Sequence, residues 1–180
     1  AAYPPRFLLF NNTLREPHLG IDRKAAFLAG YADGLLSRGP SSTLFSPLHH
    51  LNALSLDGRT GELLTELFHE AQSLAAKSSA LLPRRLRAIA LLAHADGNQS
   101  TTALLPLLET QQAAELQTAS VRALIQPHHA GVTTNLLSPA RWRAYTPQVR
   151  STVLTALLAR QEFLPAVLEA IESGTLSAAV

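Results

Sequence analysis

The sequence predicts an all-α protein made of repeated helical hairpins. Hydrophobic residues make up 47% of the chain but aromatic residues only 6%, and most of the apolar residues are Leu and Ala, which favour packed helices over sheets. The apolar pattern also repeats, because Val121 follows Ile89 by 32 residues and Leu154 follows Val121 by 33. A period of about 30 to 47 residues is typical of a right-handed α-α superhelix, the HEAT-like or armadillo-like solenoid.

Two further sets of positions follow the same intervals, one apolar and one polar. The apolar set is Leu92, Leu124 and Leu157, and the polar set is Arg85, Gln117 and Arg150. A helical hairpin cannot bury its apolar stripe alone, so we expect neighbouring hairpins to share one continuous core.

Residues 1–82 are predicted to form an irregular N-terminal segment with capping helices, because the first repeat of a solenoid lacks a neighbour on one side. Three prolines fall within the first 20 residues. We therefore expect only a short helix there, including Phe7, Leu8 and Phe10.

Two longer helices are predicted later in this segment. Asp22 is a suitable N-cap for the first, which runs to Gly39-Pro40. A connection over residues 40–59 follows, with room for a short helix at 48–54. Thr60 is the predicted cap of the second helix, whose apolar residues are spaced three and four apart. These residues are Leu64, Leu67, Phe68, Ala71, Leu74 and Ala75.

Residues 83–180 are predicted to hold about three HEAT-like helix pairs, starting at the first-turn proline Pro83, with the last pair incomplete. The pairs join residues 84–94 to 101–109, 113–125 to 132–137, and 147–160 to 165–172. Asp96-Gly97-Asn98 is expected to form the turn of the first pair, and Gly174 to cap the last helix. We interpret the chain as one continuous domain of a longer polypeptide, since it lacks Met and residues 176–180 resemble the start of another helix.

Charge and cysteine content restrict the classes of partner and cofactor. The formal net charge is only +2, which disfavours a nucleic-acid partner because phosphate backbones are bound by concentrated basic stripes. Zero Cys excludes disulfides, thiolate metal sites and covalent c-type haem attachment within this chain. The apolar stretch Ala88–Ala95, interrupted by His94, is far shorter than the roughly 20 residues of a membrane span, so we expect no direct membrane insertion.

The histidines do not predict a metal site. His49-His50 and His128-His129 are adjacent pairs, and neighbouring residues on a helix point about 100° apart, so exposed loop histidines are the favoured interpretation. His69-Glu70 lacks the second His of the zinc-protease motif. The chain also has no phosphate loop, nucleophile elbow or dinucleotide fingerprint, so we predict no catalytic, metal-binding or cofactor-binding residue and no enzyme activity of this chain alone.

Arginine and tryptophan supply the candidate partner-binding residues. Arg85, Arg122 and Arg150 could align on neighbouring repeats as a basic ridge for a phosphate or acidic partner. The alternative is that these arginines bridge adjacent repeats or lie in solvent. Trp142 either packs a loop onto the core, which is the favoured interpretation, or stacks against a ligand.

The C-terminal half also resembles a known family. The relevant segments are Arg141-Trp142, Thr146–Arg150, Leu154–Arg160 and Ala170–Gly174, with Ala26–Arg38 as an earlier counterpart. They resemble the HEAT-like helical region of planctomycete and verrucomicrobial membrane-bound dehydrogenases with c-type haem. In that family the helical region lies between a β-propeller and a cytochrome segment carrying Cys-x-x-Cys-His, and this chain has neither feature.

The resemblance implies a periplasmic connector that binds protein partners or neighbouring domains of a longer chain and that holds no cofactor itself. Two alternatives remain open. One is a HEAT-like nucleic-acid-binding domain, similar in plan to the alkylpurine DNA glycosylases, that uses arginines on its concave face. The other is an enzyme that acts through His or Glu in the groove, for which His69 and Glu70 are the best candidates.

Overall fold

The structure, a computed structural model, describes residues 12–36, 58–95, 97–125 and 131–176. All regular structure in those ranges is helical, which confirms the all-α class. The α-helices are α1 (Ile21–Leu36), α2 (Gly58–Ala76), α3 (Leu82–Leu92), α4 (Gly97–Leu104), α5 (Ala114–Ile125), α6 (Val132–Leu136), α7 (Pro139–Ala144), α8 (Pro147–Leu158) and α9 (Leu164–Glu172). Residues 12–15 are also helical, and 3₁₀ turns cover Leu105–Leu108 and Gln161–Phe163.

The described residues fall into two compact units that divide after Asp96. The first unit contains α1 to α3 and the second contains α4 to α9. The boundary predicted after residue 82 marks the residue at which the repeats begin. The division after Asp96 instead marks where one compact unit ends and the next begins, so the two boundaries describe different properties. The domain assignment therefore stays a prediction.

In the first unit, α3 packs against both α2 and α1. The apolar spacing predicted for α2 is confirmed, because Leu64, Leu67, Phe68, Ala71 and Ala75 are all buried. Leu74 is only half-buried. The core of this unit is completed by fully buried leucines of α1, α3 and the helical residues 12–15, namely Leu14, Leu28, Leu91 and Leu92.

Both N-caps predicted in this unit are wrong, because α1 and α2 each begin before the predicted cap. α1 begins at Ile21, and the carbonyl of Gly20 accepts hydrogen bonds from the amides of Arg23 and Lys24. Gly20 therefore occupies the N-cap position predicted for Asp22. α2 begins at Gly58, which places Thr60 inside its first turn.

In the second unit, α5 is the central helix and packs against α8, α4 and the 3₁₀ turn after α4. α8 packs against α9, and α9 packs against α6. Leu116, Val121 and Leu124 of α5 are buried, as are Val153 and Leu157 of α8. Two helices one period apart therefore share a core within this unit.

The predicted register is confirmed at the second apolar set. Leu92, Leu124 and Leu157 expose 0%, 1% and 0% of their surface. Ile89 and Val121 are buried as well, but Leu154 is only half-buried.

The neighbouring residue explains the difference at Leu154. Val153 precedes it by one residue, lies about 100° around the helix and is fully buried. The face of α8 that meets the core is therefore centred on Val153 and Leu157.

The helix ends of the repeats follow the predictions in part. Thr146 caps α8 through its hydroxyl, which accepts a hydrogen bond from the Val149 amide at 3.3 Å. Gly174 ends the last helix with a φ of +72°, the left-handed conformation typical of a C-cap glycine. The reversal predicted at Asp96-Gly97-Asn98 is wrong at Gly97 and Asn98, which start α4. Asp, Gly and Asn favour both tight turns and helix starts, so the local sequence does not separate the two.

Several predictions concern residues outside the described ranges. These are the short helices near Phe7 and at 48–54, the stop at Gly39-Pro40, both histidine pairs and the continuation after Leu176.

Candidate functional site

The polar position shared by the three repeats makes the same kind of contact each time. Arg85, Gln117 and Arg150 are each the fourth residue of their helices, α3, α5 and α8. Each side chain donates hydrogen bonds to backbone carbonyls at the end of the helical segment before it. We name this repeated contact the helix clamp.

The distances place the helix clamp within hydrogen-bonding range in all three helices. Arg85 Nε lies 2.9 Å from the carbonyl oxygen of Ala75, next to the last residue of α2. Gln117 Nε2 lies 2.7 Å from the carbonyl oxygen of Glu109, which caps the 3₁₀ turn after α4. Arg150 Nε lies 3.0 Å from the carbonyl oxygen of Trp142, in the last turn of α7.

The chemistry of helix ends explains why long amide or guanidinium side chains occupy this position. The last carbonyls of a helix have no partner inside the helix and carry partial negative charge. Both arginines of the clamp add a positive charge there, while Gln117 supplies a neutral donor and is 3% exposed. Arg85 is 7% exposed, so its stem also fills space in the core of the first unit.

In the last clamp, Arg150 also covers an aromatic ring. Its guanidinium carbon lies 5.7 Å from the centroid of the Trp142 ring, within cation–π range, and Nη2 donates to the carbonyl of Arg143 at 3.2 Å. Trp142 is 9% exposed and meets Tyr145 edge to face, with ring centroids 6.1 Å apart. Trp142 is therefore buried near the end of α7, between Arg150 and Tyr145.

The Tyr145 hydroxyl is buried and has no hydrogen-bond partner among the described residues. Burial raises the pKa of Tyr145 to about 12, and the positive charge of Arg141 opposes that rise. The phenol is therefore neutral at physiological pH and does not supply a phenolate nucleophile or base there.

The four candidate partner-binding residues differ in their exposure and in the contacts that they make. Arg85 and Arg150 donate to backbone carbonyls and Trp142 lies beneath Arg150, which agrees with the structural alternative for these three residues. Arg122 is exposed on α5. Arg85 belongs to the first unit and the other three to the second. A partner-binding role for these residues stays a prediction.

The described residues include no group of three or more His, Cys, Asp or Glu side chains placed to hold a metal ion. His69 and Glu70 are both exposed on α2. His94 is buried at 2% exposure in the turn after α3. None of these observations identifies a reaction.

Sequence reasoning missed an exposed apolar surface on α9. Leu164, Leu168 and Ile171 expose 37%, 59% and 42% of their surface and are spaced four and three residues apart, so they share one helix face. We name these three residues the α9 stripe. The spacing was visible in the sequence, but such spacing also marks residues that face a core.

Comparison with known proteins adds no relative. No family model matches the chain, no curated protein matches it at a significant level, and no solved structure does so either. Within the described residues, no helix has the length and apolar character that crossing a membrane requires. The class that the fold defines is therefore an all-α protein with a repeated helix contact.

Proposed function

We propose that this chain is a non-catalytic α-solenoid scaffold that binds protein partners. The helix clamp is the observation that carries the proposal. A contact repeated at one position of three helices, about 32 residues apart, supports an array of similar structural units. The packing of α5 against α8 supports the same arrangement.

The proposal gives the candidate site residues a structural role. The polar groups of the clamp bond to backbone carbonyls, and Trp142 packs against Arg150 and Tyr145. The α9 stripe is apolar surface of the kind that marks interaction sites. A domain built this way binds partners and holds them at a fixed spacing, and it does not catalyse a reaction.

A narrower form of the proposal is a connector within a larger periplasmic protein of the dehydrogenase and cytochrome c type. It is supported by the resemblance of four segments to the helical region of that family, namely Arg141-Trp142, Thr146–Arg150, Leu154–Arg160 and Ala170–Gly174. The full open reading frame tests it. A propeller segment upstream and a Cys-x-x-Cys-His motif downstream are expected, and a frame without either feature would contradict the connector role.

The purified chain tests the scaffold proposal itself. We expect no bound metal, haem or flavin by elemental analysis and absorption spectroscopy, and no turnover in hydrolase and oxidoreductase assays. A cofactor bound at one equivalent per chain would contradict the proposal. Turnover abolished by changes at His69 or Glu70 would instead favour the enzyme alternative.

The nucleic-acid alternative is supported by the exposed Arg122 and by the arginines of α7. Charge balance argues against it, because residues 97–180 contain five Arg and five Glu. Fluorescence anisotropy with labelled duplex DNA at low salt separates the two functions. The scaffold proposal predicts no shift, whereas salt-dependent binding that Arg122→Ala weakens would favour the nucleic-acid alternative.

A further inference from the structure

α9 carries two apolar faces, and only one of them is covered. Val167 and Ala170 are buried within the second unit, whereas Leu168 and Ile171, one residue further along in each case, are exposed. Adjacent residues differ by about 100° around a helix, so the two faces adjoin. Such a wide apolar arc is typical of a helix that packs against neighbours on two sides.

The end of α8 also has an exposed apolar side chain at a position that is buried in the preceding repeat. Leu158 is 56% exposed, whereas Ile125, the residue 33 positions earlier on α5, is 4% exposed. Equivalent positions of the repeat are therefore buried in α5 and open in α8. The last helix pair presents apolar surface where the preceding helix has none.

One edge of the α9 stripe is acidic. Glu172 follows Ile171 directly, and Glu169 lies further around the same side of the helix. Both glutamates are exposed, and neither forms an ion pair with another described residue. The last turn of α9 contains no basic residue, so the negative end of the helix dipole adds to their charge.

A second copy of this chain fits the stripe poorly. The stripe carries the same acidic edge in every copy of the chain. An antiparallel pair related by a two-fold axis would also bring the Glu172 edges of both copies to the same side, where like charges repel. The surface therefore favours a different partner with opposite charge.

We propose that the α9 stripe binds an amphipathic helix of a partner protein, with Lys or Arg along the flank that faces Glu172. Leu164, Leu168 and Ile171 would supply the anchors of a helix-to-helix contact at positions i, i+4 and i+7. The acidic edge would set the orientation of the bound helix and would favour basic over acidic partners. This inference rests on the proposed scaffold function and names the chemistry of the partner.

Two labelled peptides test the inference by fluorescence anisotropy with the whole chain. Both are 18-residue amphipathic helices with the same leucine face, one flanked by lysines and the other by glutamates. We expect the lysine peptide to bind and the glutamate peptide to bind at least tenfold more weakly. Equal binding of both, or no binding of the lysine peptide at about 1 mM, would overturn the proposal.

Matched variants locate the binding site. Leu168→Asn should weaken binding of the lysine peptide at least tenfold, while Leu81→Asn, which changes a leucine of 71% exposure in the first unit, should leave it unchanged. Glu172→Gln should weaken binding severalfold and reduce its salt dependence, while Glu62→Gln on α2 should do neither. Circular dichroism verifies that each variant is folded. Binding that Leu168→Asn does not change would overturn the proposal.

Sedimentation of the chain alone tests whether a second copy of the chain binds the α9 stripe instead. A dimer that Leu168→Asn converts to a monomer would show that a second copy covers the stripe, which overturns the proposal. A monomer at all concentrations is the expected result. These outcomes are distinct from failure of the scaffold function, which would appear as a bound cofactor or turnover.

Discussion

Arg150 and Trp142 are joined by two different contacts. Arg150 Nε donates to the Trp142 carbonyl at 3.0 Å, and the guanidinium carbon lies 5.7 Å from the centroid of the Trp142 ring. One side chain therefore ties the first turn of α8 both to the backbone and to the aromatic ring at the end of α7. Trp142 is the single Trp of the chain, so its fluorescence reports directly on this contact.

We predict that Arg150→Met lowers the free energy of unfolding by about 1–3 kcal/mol. The substitution removes donors from two backbone carbonyls and the cation from the indole ring. Urea unfolding followed by Trp142 fluorescence measures the loss. Arg122→Met on the exposed side of α5 is the matched control, and we expect it to stay within about 0.5 kcal/mol of the wild type. Equal effects of both variants would show that the clamp does not stabilise α8.

Gln117→Leu tests the neutral member of the helix clamp. Gln117 is 3% exposed, so leucine fits the apolar surroundings but leaves the Glu109 carbonyl without this donor. We expect a loss of about 0.5–1.5 kcal/mol, the net contribution of one hydrogen bond, because the Glu109 carbonyl still accepts from the Gln112 amide. Gln148→Leu on the exposed side of α8 should change stability little. A Gln117→Leu protein as stable as the wild type would contradict a stabilising role for the clamp.

Two adjacent leucines at the end of α8 lie on different faces of the helix, one in the core and one on the surface. Leu157 is fully buried and Leu158 is 56% exposed. Leu157→Ala should cost about 2–5 kcal/mol in the free energy of unfolding, because it removes buried methyl groups and leaves a cavity. Leu158→Ala should cost well under 1 kcal/mol. Comparable costs for the two variants would show that the core lies on the other face of α8.

Ionisation of Tyr145 should lower the free energy of unfolding at alkaline pH. Burial raises its pKa to about 12 in the folded chain, above the ordinary value of 10. Below pH 10 the phenol is neutral in both states, but between pH 10 and 12 only the unfolded chain loses the proton. Stability should therefore fall by roughly 2 kcal/mol over that window because of this group.

Tyr145→Phe should abolish this part of the alkaline loss and leave stability at neutral pH unchanged or slightly higher, because the hydroxyl has no described partner. Urea unfolding at successive pH values measures both effects. An identical pH profile for the two proteins would contradict the raised pKa.

The parts of the fold that the sequence predicted are those that depend on local periodicity. Leu64 to Ala75 and the set Leu92, Leu124 and Leu157 mark the buried faces of helices because apolar spacing alone defines such faces. Helix starts were less accurate. Asp22 has the right side chain for an N-cap, yet the carbonyl of Gly20 starts α1.

The candidate site depended on contacts that periodicity does not reveal. The sequence placed Arg85, Gln117 and Arg150 at one polar position, but their targets are carbonyls 8 to 10 residues earlier, across the connection between helices. The α9 stripe was missed for a related reason. Periodicity identifies an apolar face without indicating whether a neighbour covers it, and Leu168 is exposed on a face that looks like core.

Hydrogen–deuterium exchange measured by mass spectrometry tests most directly whether the helix clamp stabilises α3, α5 and α8 alike. We predict that α3, α5 and α8 exchange most slowly and with similar protection, because each contributes buried leucine and a helix clamp. Exchange in any one of these three helices as fast as in the turns around Ser79 and Gln111 would contradict it.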